Sequence, residues 1–169
     1  MHIVFLGIGT NMGNRESNLI EAVNRIEENI GIILKTSALF ETEPWGFETE
    51  INFLNLAVEV ETKLTPSGLL GAILMIEAQL GRIRGEKQYS SRLIDIDILF
   101  YDDLIMDEIA LKIPHPLLHK RKFVLVPLNE IAPDFIHPVL KKNILSLLNS
   151  CEDPCSVRLQ DRKTARQLE

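Results

Sequence analysis

The chain has 169 residues, 46% hydrophobic and 25% charged, with a formal net charge of −6, an ordinary composition for one compact domain that buries about 70% of its unfolded surface without a staple. The acidic balance argues against a nucleic-acid protein, which usually carries a net basic face. No apolar run reaches a membrane span and the N-terminus lacks a signal-peptide pattern, so a cytoplasmic location is expected.

His2 to Gly9 is an apolar, β-favouring run ending in Gly-Ile-Gly, followed by a turn over Thr10 to Asn14. Asn14 suits the cap of a helix from about Arg15, with Leu19, Ala22, Val23, Ile26 and Ile30 on one face and Gly31 at its end. The glycines at 7, 9 and 13 invite a dinucleotide-binding reading. The next two segments argue against it: Ile32 to Glu41 and Phe53 to Thr62 are both extended, and only the loop Thr42 to Asn52 lies between them. A dinucleotide fold needs a crossover helix there, so the two segments are expected to pair antiparallel. That loop carries Pro44, Trp45, Gly46 and Phe47, and aromatics on a connection mark either a ligand contact or a loop folded down on the core.

Thr65 and Pro66 open a second helix as cap and first position, with Leu69, Ile73, Ile76 and Leu80 as its buried stripe and Gly81 as a left-handed cap. Glu77 beside that stripe points either toward the basic loop or into solvent. The stretch Arg82 to Phe100 has the densest chemistry. Arg82, Arg84, Lys87 and Arg92 precede a buried strand over Asp95 to Phe100, in which Asp95 and Asp97 share a face. Two carboxylates there are costly to bury unless paired or metal-bound. A structural ion-pair network with the arginines and a magnesium–phosphate site are both open readings. A polyphosphate would be repelled by the net charge, so the local basic cluster and metal ions would have to overcome that field.

The order strand, helix, strand, strand, helix, strand predicts an α+β fold: a ferredoxin-like βαββαβ core, an antiparallel sheet with helices packed on it, plus a C-terminal extension. The opposite sheet face is left to a ligand or to the remaining chain. After a turn at Asp102 and Asp103 come a short extended Leu111 to Pro114, a basic cluster from His119 to Lys122, the apolar Phe123 to Leu128 and a last helix through Ile144 to Leu148, starting near Pro138 to Leu140. The expected domain is 1–150, with 151–169 as a weakly ordered tail. Cys151 and Cys155 are too few for a disulfide framework or zinc site and read as free thiols.

Taken together, the motifs resemble the 6-hydroxymethyl-7,8-dihydropterin pyrophosphokinase family, folate-pathway enzymes that move a diphosphate from ATP to a pterin alcohol. They are Gly9 to Gly13, Phe53 to Asn55, Glu77 to Arg84, Arg92 to Asp97, and Pro114-His115 with Arg121 and Phe123. The resemblance runs from about Ile3 to Pro138, and the arginine-to-double-aspartate motif is its most specific part. It implies that Asp95 and Asp97 hold two Mg2+ ions, and that Glu77, Arg82, Arg84, Arg92, His115 and Arg121 contact ATP, with Arg82, Arg92 and Asp97 in catalysis. Asp97 is the natural proton acceptor, although metal coordination of the alcohol would make a dedicated base unnecessary. The implied pterin pocket is Thr42, Pro44, Trp45, Phe53, Asn55 and Phe123. Phe53 and Phe123 read as plain core by default, whereas Asn55, an amide on the same strand face as Phe53, needs partners if buried.

Three positions depart from the pattern: Thr10 where serine is frequent, Tyr89 where tryptophan is common, and Leu74 where some members have a polar residue. The resemblance further implies that the loop over Gly81 to Ser91 closes on ATP and keeps water off the diphosphate. Expected partners are ATP and the pterin, with no nucleic acid or membrane, in a monomer or weak homodimer. Two other functions remain open on the residues: a ferredoxin-like small-molecule sensor, and a two-metal nucleotidyltransferase that would release pyrophosphate.

Overall fold

The computed structural model describes residues 1–46, 50–81 and 93–164. In chain order the elements are β1 (His2–Thr10), α1 (Arg15–Asn29), β2 (Gly31–Thr36), β3 (Ala38–Thr42), β4 (Phe53–Thr62), α2 (Pro66–Gln79), β5 (Asp95–Tyr101), β6 (Met106–Asp107), β7 (Lys112–Ile113), a 3-10 turn (Leu118–Lys120), α3 (Lys122–Ile131), α4 (Ile144–Asn149) and β8 (Val157–Thr164).

β1 is central, antiparallel to β4 on one side and to β5 on the other, and the strand order is β5-β1-β4-β3-β8. The extended segment expected over Ile32 to Glu41 is two strands, β2 and β3, which pair with successive parts of β4. Ser37 makes the break: its N–H donates to the Ala57 carbonyl and its Oγ accepts the Ala57 N–H, each at 2.9 Å. Gly31 opens β2 because a Cβ there would collide with the Glu61 carbonyl oxygen of β4.

The helices form where the caps and stripes indicate. Asn14 Oδ1 accepts the Ser17 N–H at 3.1 Å, and Thr65 Oγ1 accepts that of Gly68 at 3.2 Å. Leu19, Ala22, Val23 and Ile26 of α1, with Leu69, Ile73 and Ile76 of α2, bury against Val4, Leu6, Ile8, Leu54, Leu56, Val58, Ile96 and Ile98 on one sheet face. On the other face Phe5, Ala57, Leu99 and Phe100 pack under Val124, Leu125, Leu128 and Ile131 of α3 and Ile144 and Leu147 of α4. A register shift in the β1–β5 pairing between Phe5 and Leu6 lets consecutive Leu99 and Phe100 join the same cluster.

The C-terminal part differs from expectation in two places. α4 begins at Ile144, not near Pro138 to Leu140, because His137 Nδ1 accepts the Val139 and Leu140 N–H groups, Lys141 takes φ +56, and Asn143 Oδ1 caps the helix at Ser146. The segment expected as a weakly ordered tail contributes β8, which pairs antiparallel with β3. Six of its eight residues are polar, and a strand hydrogen-bonded to a sheet edge needs backbone partners more than apolar side chains.

Candidate active site

α3 and α4 pack on the Phe5, Leu99 and Phe100 end of their sheet face, and the Gly7, Gly9, Asn55, Asp95 and Asp97 end is the floor of a cavity of about 220 Å³. The register makes that floor. Asp97 lies opposite Gly7, which lies opposite Ala57; Asp95 lies opposite Gly9, which lies opposite Asn55. Each row thus has a carboxylate on β5, no side chain on β1 and a small or amide residue on β4. A Cβ on Gly9 would come within 2.5 Å of Asn55 Oδ1 and 3.8 Å of the Phe53 ring, so glycine keeps the space beside the amide open.

Thr42, Trp45, Phe53, Asn55, Asp95, Asp97, His115, Arg121 and Phe123, all singled out in the sequence, line this one cavity. Thr42 and Asn55 are buried, and Asn55 Nδ2 donates to Thr42 Oγ1 at 2.6 Å. That bond leaves the amide oxygen to accept and the threonine hydroxyl proton to donate at the cavity wall. Arg121 is 7% exposed and stacks its guanidinium 4.6 Å from the Trp45 ring centre and 5.6 Å from that of Phe123. Its Nε is buried and has no hydrogen-bond partner among the described residues. An unmatched buried donor costs about 1–3 kcal/mol, which an acceptor in the cavity would recover.

His115 is neutral. Burial, then the Arg121 charge, pull its pKa down to about 4 against the opposing influence of Asp95. Its Nδ1 accepts the Leu117 N–H at 3.1 Å, so the proton sits on Nε2, a donor toward an anionic or carbonyl oxygen.

Other residues support these from outside. Glu77 is not a solvated helix acid: it is 2% exposed behind the floor, and its Oε1 accepts the Ile96 N–H at 2.9 Å. Pro44 does not line the cavity; its carbonyl accepts from the Cys155 thiol at 3.9 Å. Thr10 Oγ1 donates to the Leu93 carbonyl at 2.6 Å, and Asn18 Nδ2 to the same oxygen at 3.3 Å, fixing the approach to Asp95. Arg15 Nη1 donates to Glu41 Oε2 at 3.1 Å and to the Asn52 carbonyl at 2.8 Å, closing the base of the Trp45 loop. Arg82, Arg84, Arg92 and Tyr89 lie outside the described residues. Leu74 is 36% exposed on α2.

The cavity is also lined by Gly7, Ile8, Glu43, Leu56, Ala57 and Val124, which sequence reasoning did not assign to it. For the glycines a signal existed. Gly7 and Gly9 alternate with apolar residues in β1, as Asp95 and Asp97 do in β5; knowledge of the pairing register would have joined them.

Comparison with known proteins places this arrangement. The profile of the 7,8-dihydro-6-hydroxymethylpterin-pyrophosphokinase (HPPK) family matches residues 5–133. A 2-amino-4-hydroxy-6-hydroxymethyldihydropteridine pyrophosphokinase of Aquifex aeolicus is 42% identical over 142 residues, covering 84% of this chain and 88% of the relative. One of the same name from Methylorubrum extorquens is 44% identical over 133 residues, covering 78% and 84%. Among solved structures, Plasmodium falciparum HPPK-DHPS with pteroate superposes with a TM-score of 0.71 at 21% identity, over 88% of this chain and 44% of that one. At that identity the likeness concerns the fold.

Proposed function

Because the chain belongs to the 7,8-dihydro-6-hydroxymethylpterin-pyrophosphokinase family, a family of diphosphotransferases in folate biosynthesis, we propose that it transfers the diphosphate of ATP to the hydroxymethyl group of 6-hydroxymethyl-7,8-dihydropterin in a magnesium-dependent reaction that releases AMP. The observation that carries this reading is the convergence, in one cavity, of two carboxylates with a buried amide, aromatic rings and an arginine that lacks a partner for Nε among the described residues.

The cavity divides by chemistry. Thr42 and Asn55 offer donor and acceptor edges, and Phe53, Phe123 and Trp45 offer aromatic surface, which suits a flat heterocycle with polar edges. Asp95 and Asp97 lie across β1 from that pocket. They fit magnesium, because both are hard oxygen donors on one strand face. Magnesium typically takes one or two carboxylates plus substrate phosphates and water. When bound, it supplies charge neutralisation along the transferred phosphates. Neutral His115 and cationic Arg121 line the cavity and suit donation toward phosphate or substrate oxygens, and Asp97 is proposed to accept the hydroxymethyl proton unless metal coordination of the alcohol makes a dedicated base unnecessary. Arg82, Arg84 and Arg92 are proposed to complete the phosphate contacts. The strand and helix order further supports a ferredoxin-like core with residues 134–164 as its C-terminal extension.

The test is a product assay: purified protein with ATP, magnesium and the pterin, nucleotides resolved, repeated without pterin and without magnesium. AMP formed in step with pterin diphosphate, and lost in both controls, is the expected result. Intact ATP with bound pterin would favour a sensor, and release of pyrophosphate a nucleotidyltransferase.

A further inference from the structure

Residues 134–164 lie beyond the 5–133 that the family profile matches, yet they reach two walls of the cavity. Asp153 is 7% exposed and sits at the N-terminus of α3. Its Oδ2 accepts the Lys122 N–H at 2.9 Å and its Oδ1 accepts the Cys155 N–H at 3.0 Å. Arg121, the residue preceding α3, makes no side-chain cap of its own. Asp153 therefore supplies the cap from 31 residues away, and its charge suits the positive end of the helix. The capped N–H lies between Arg121 and Phe123, which both line the cavity.

The same segment holds the opposite wall. The Ser156 N–H donates to Glu43 Oε2 at 3.2 Å, and the Glu43 N–H donates to the Ser156 carbonyl at 3.4 Å. The Cys155 thiol donates to the Pro44 carbonyl, and Val157 pairs with Thr42. Burial, then the hydrogen bond and charge of Asp153, push that thiol up to about 11, so it stays protonated. Five residues, 153–157, thus tie the start of α3 to the exit of β3, and the Arg121–Trp45 stack spans the same gap.

We propose that Asp153 is a positioning residue for pterin binding: by capping α3 and turning the chain toward Glu43 and Pro44, it sets the separation between the Arg121–Phe123 wall and the Thr42–Trp45 wall. The inference deepens the proposed function and rests on the assignment of the cavity to the pterin. It gives the C-terminal segment a task in recognition that a purely structural edge strand would not have.

The experiment uses the full chain with Asp153→Ala, Asp153→Asn and Asn55→Ala, with KM and kcat for each substrate at saturation of the other. Trp45 is the only tryptophan, so its emission in the substrate-free protein reports the wall directly. Asp153→Ala is expected to raise the pterin KM about tenfold, as the two walls lose their fixed separation. The ATP KM should stay within about twofold and kcat within about threefold, changes too small to reflect lost transition-state contacts. Its Trp45 emission should shift at temperatures where circular dichroism shows a folded protein. Asp153→Asn, whose one side-chain oxygen can accept the Lys122 N–H but whose NH2 group cannot accept that of Cys155, should give a pterin KM between those of Asp153→Ala and the wild type. If Asp153→Ala fails to fold, Ser156→Pro, which removes the N–H given to Glu43, should raise the pterin KM alone. A wild-type pterin KM in the folded variants, or pterin and ATP KM rising together, overturns the positioning role. A raised KM in Asn55→Ala beside a normal one in Asp153→Ala overturns that role alone; an unchanged KM in Asn55→Ala overturns the cavity assignment with it.

Discussion

The two faces of the sheet are made from alternate residues of the same strands and have opposite character. Toward α1 and α2, β1, β4 and β5 present a continuous apolar layer of buried Val, Leu and Ile. Toward α3 the same strands present Phe5, Leu99 and Phe100 at one end, and Gly7, Gly9, Asn55, Asp95 and Asp97 at the other. One face is filled throughout; the second is filled only as far as α3 and α4 reach. The cavity comes from omitting side chains along the central strand and placing polar groups on its neighbours, while the filled face keeps the strands in register.

The largest expected effect separates the two faces. Asp97→Ala on the open face should lower diphosphate transfer about a thousandfold, the scale of removing a preorganised charge from a reaction centre, with the melting temperature nearly unchanged. Leu19→Ala on the closed face should do the reverse. Leu19 is fully buried on α1, and its truncation should cost about 3 kcal/mol in urea unfolding while leaving kcat/KM near wild type. A large activity loss in the folded Leu19 variant would show that the faces are not independent.

Gly9→Ala tests the floor. The added Cβ meets the Asn55 amide oxygen, so the pterin KM should rise about tenfold with little change in stability. Gly31→Ala meets backbone instead and should destabilise the fold without a selective change in KM. The smallest expected effect is in pH dependence. His115 has its pKa lowered to about 4 from an unfolded value near 6.5. Its stabilising contribution is therefore present above pH 6.5 and declines as pH falls toward 4. Between pH 7 and 5.5 the loss should be about 1 kcal/mol, read from urea midpoints, and His115→Gln should remove that part of the slope.

Much of the fold was legible because its signals are local. Asn14 and Thr65 mark helix starts by their own side-chain chemistry, the stripes of α1 and α2 follow from helical spacing, and β4 follows from the period-two recurrence of Leu54, Leu56, Val58 and Val60. The site was legible in part: Asp95 and Asp97 share a face by strand period alone, and nine of the residues singled out in the sequence do line the cavity. Glu77 was not, since its spacing allows solvent as readily as burial, and only the approach of β5 offers it the Ile96 N–H. β8 has only Val157 and Leu159 as apolar residues, too short an alternation to announce a strand, and it is held by the backbone of β3.

The amino-acid sequence by itself determined where β1, α1, β4, α2 and β5 form, which of their side chains share a face, and which groups can bind an anion, a cation or a flat ring. Those properties depend on neighbours within a turn or two of chain. The tertiary structure alone decided the register that sets Gly7 and Gly9 between the aspartates and Asn55, the unmatched Nε of Arg121 among the described residues, and the reach of Asp153 across 31 residues to Lys122. Each depends on which distant backbone groups meet, and that is settled only when the two faces of the sheet have been covered.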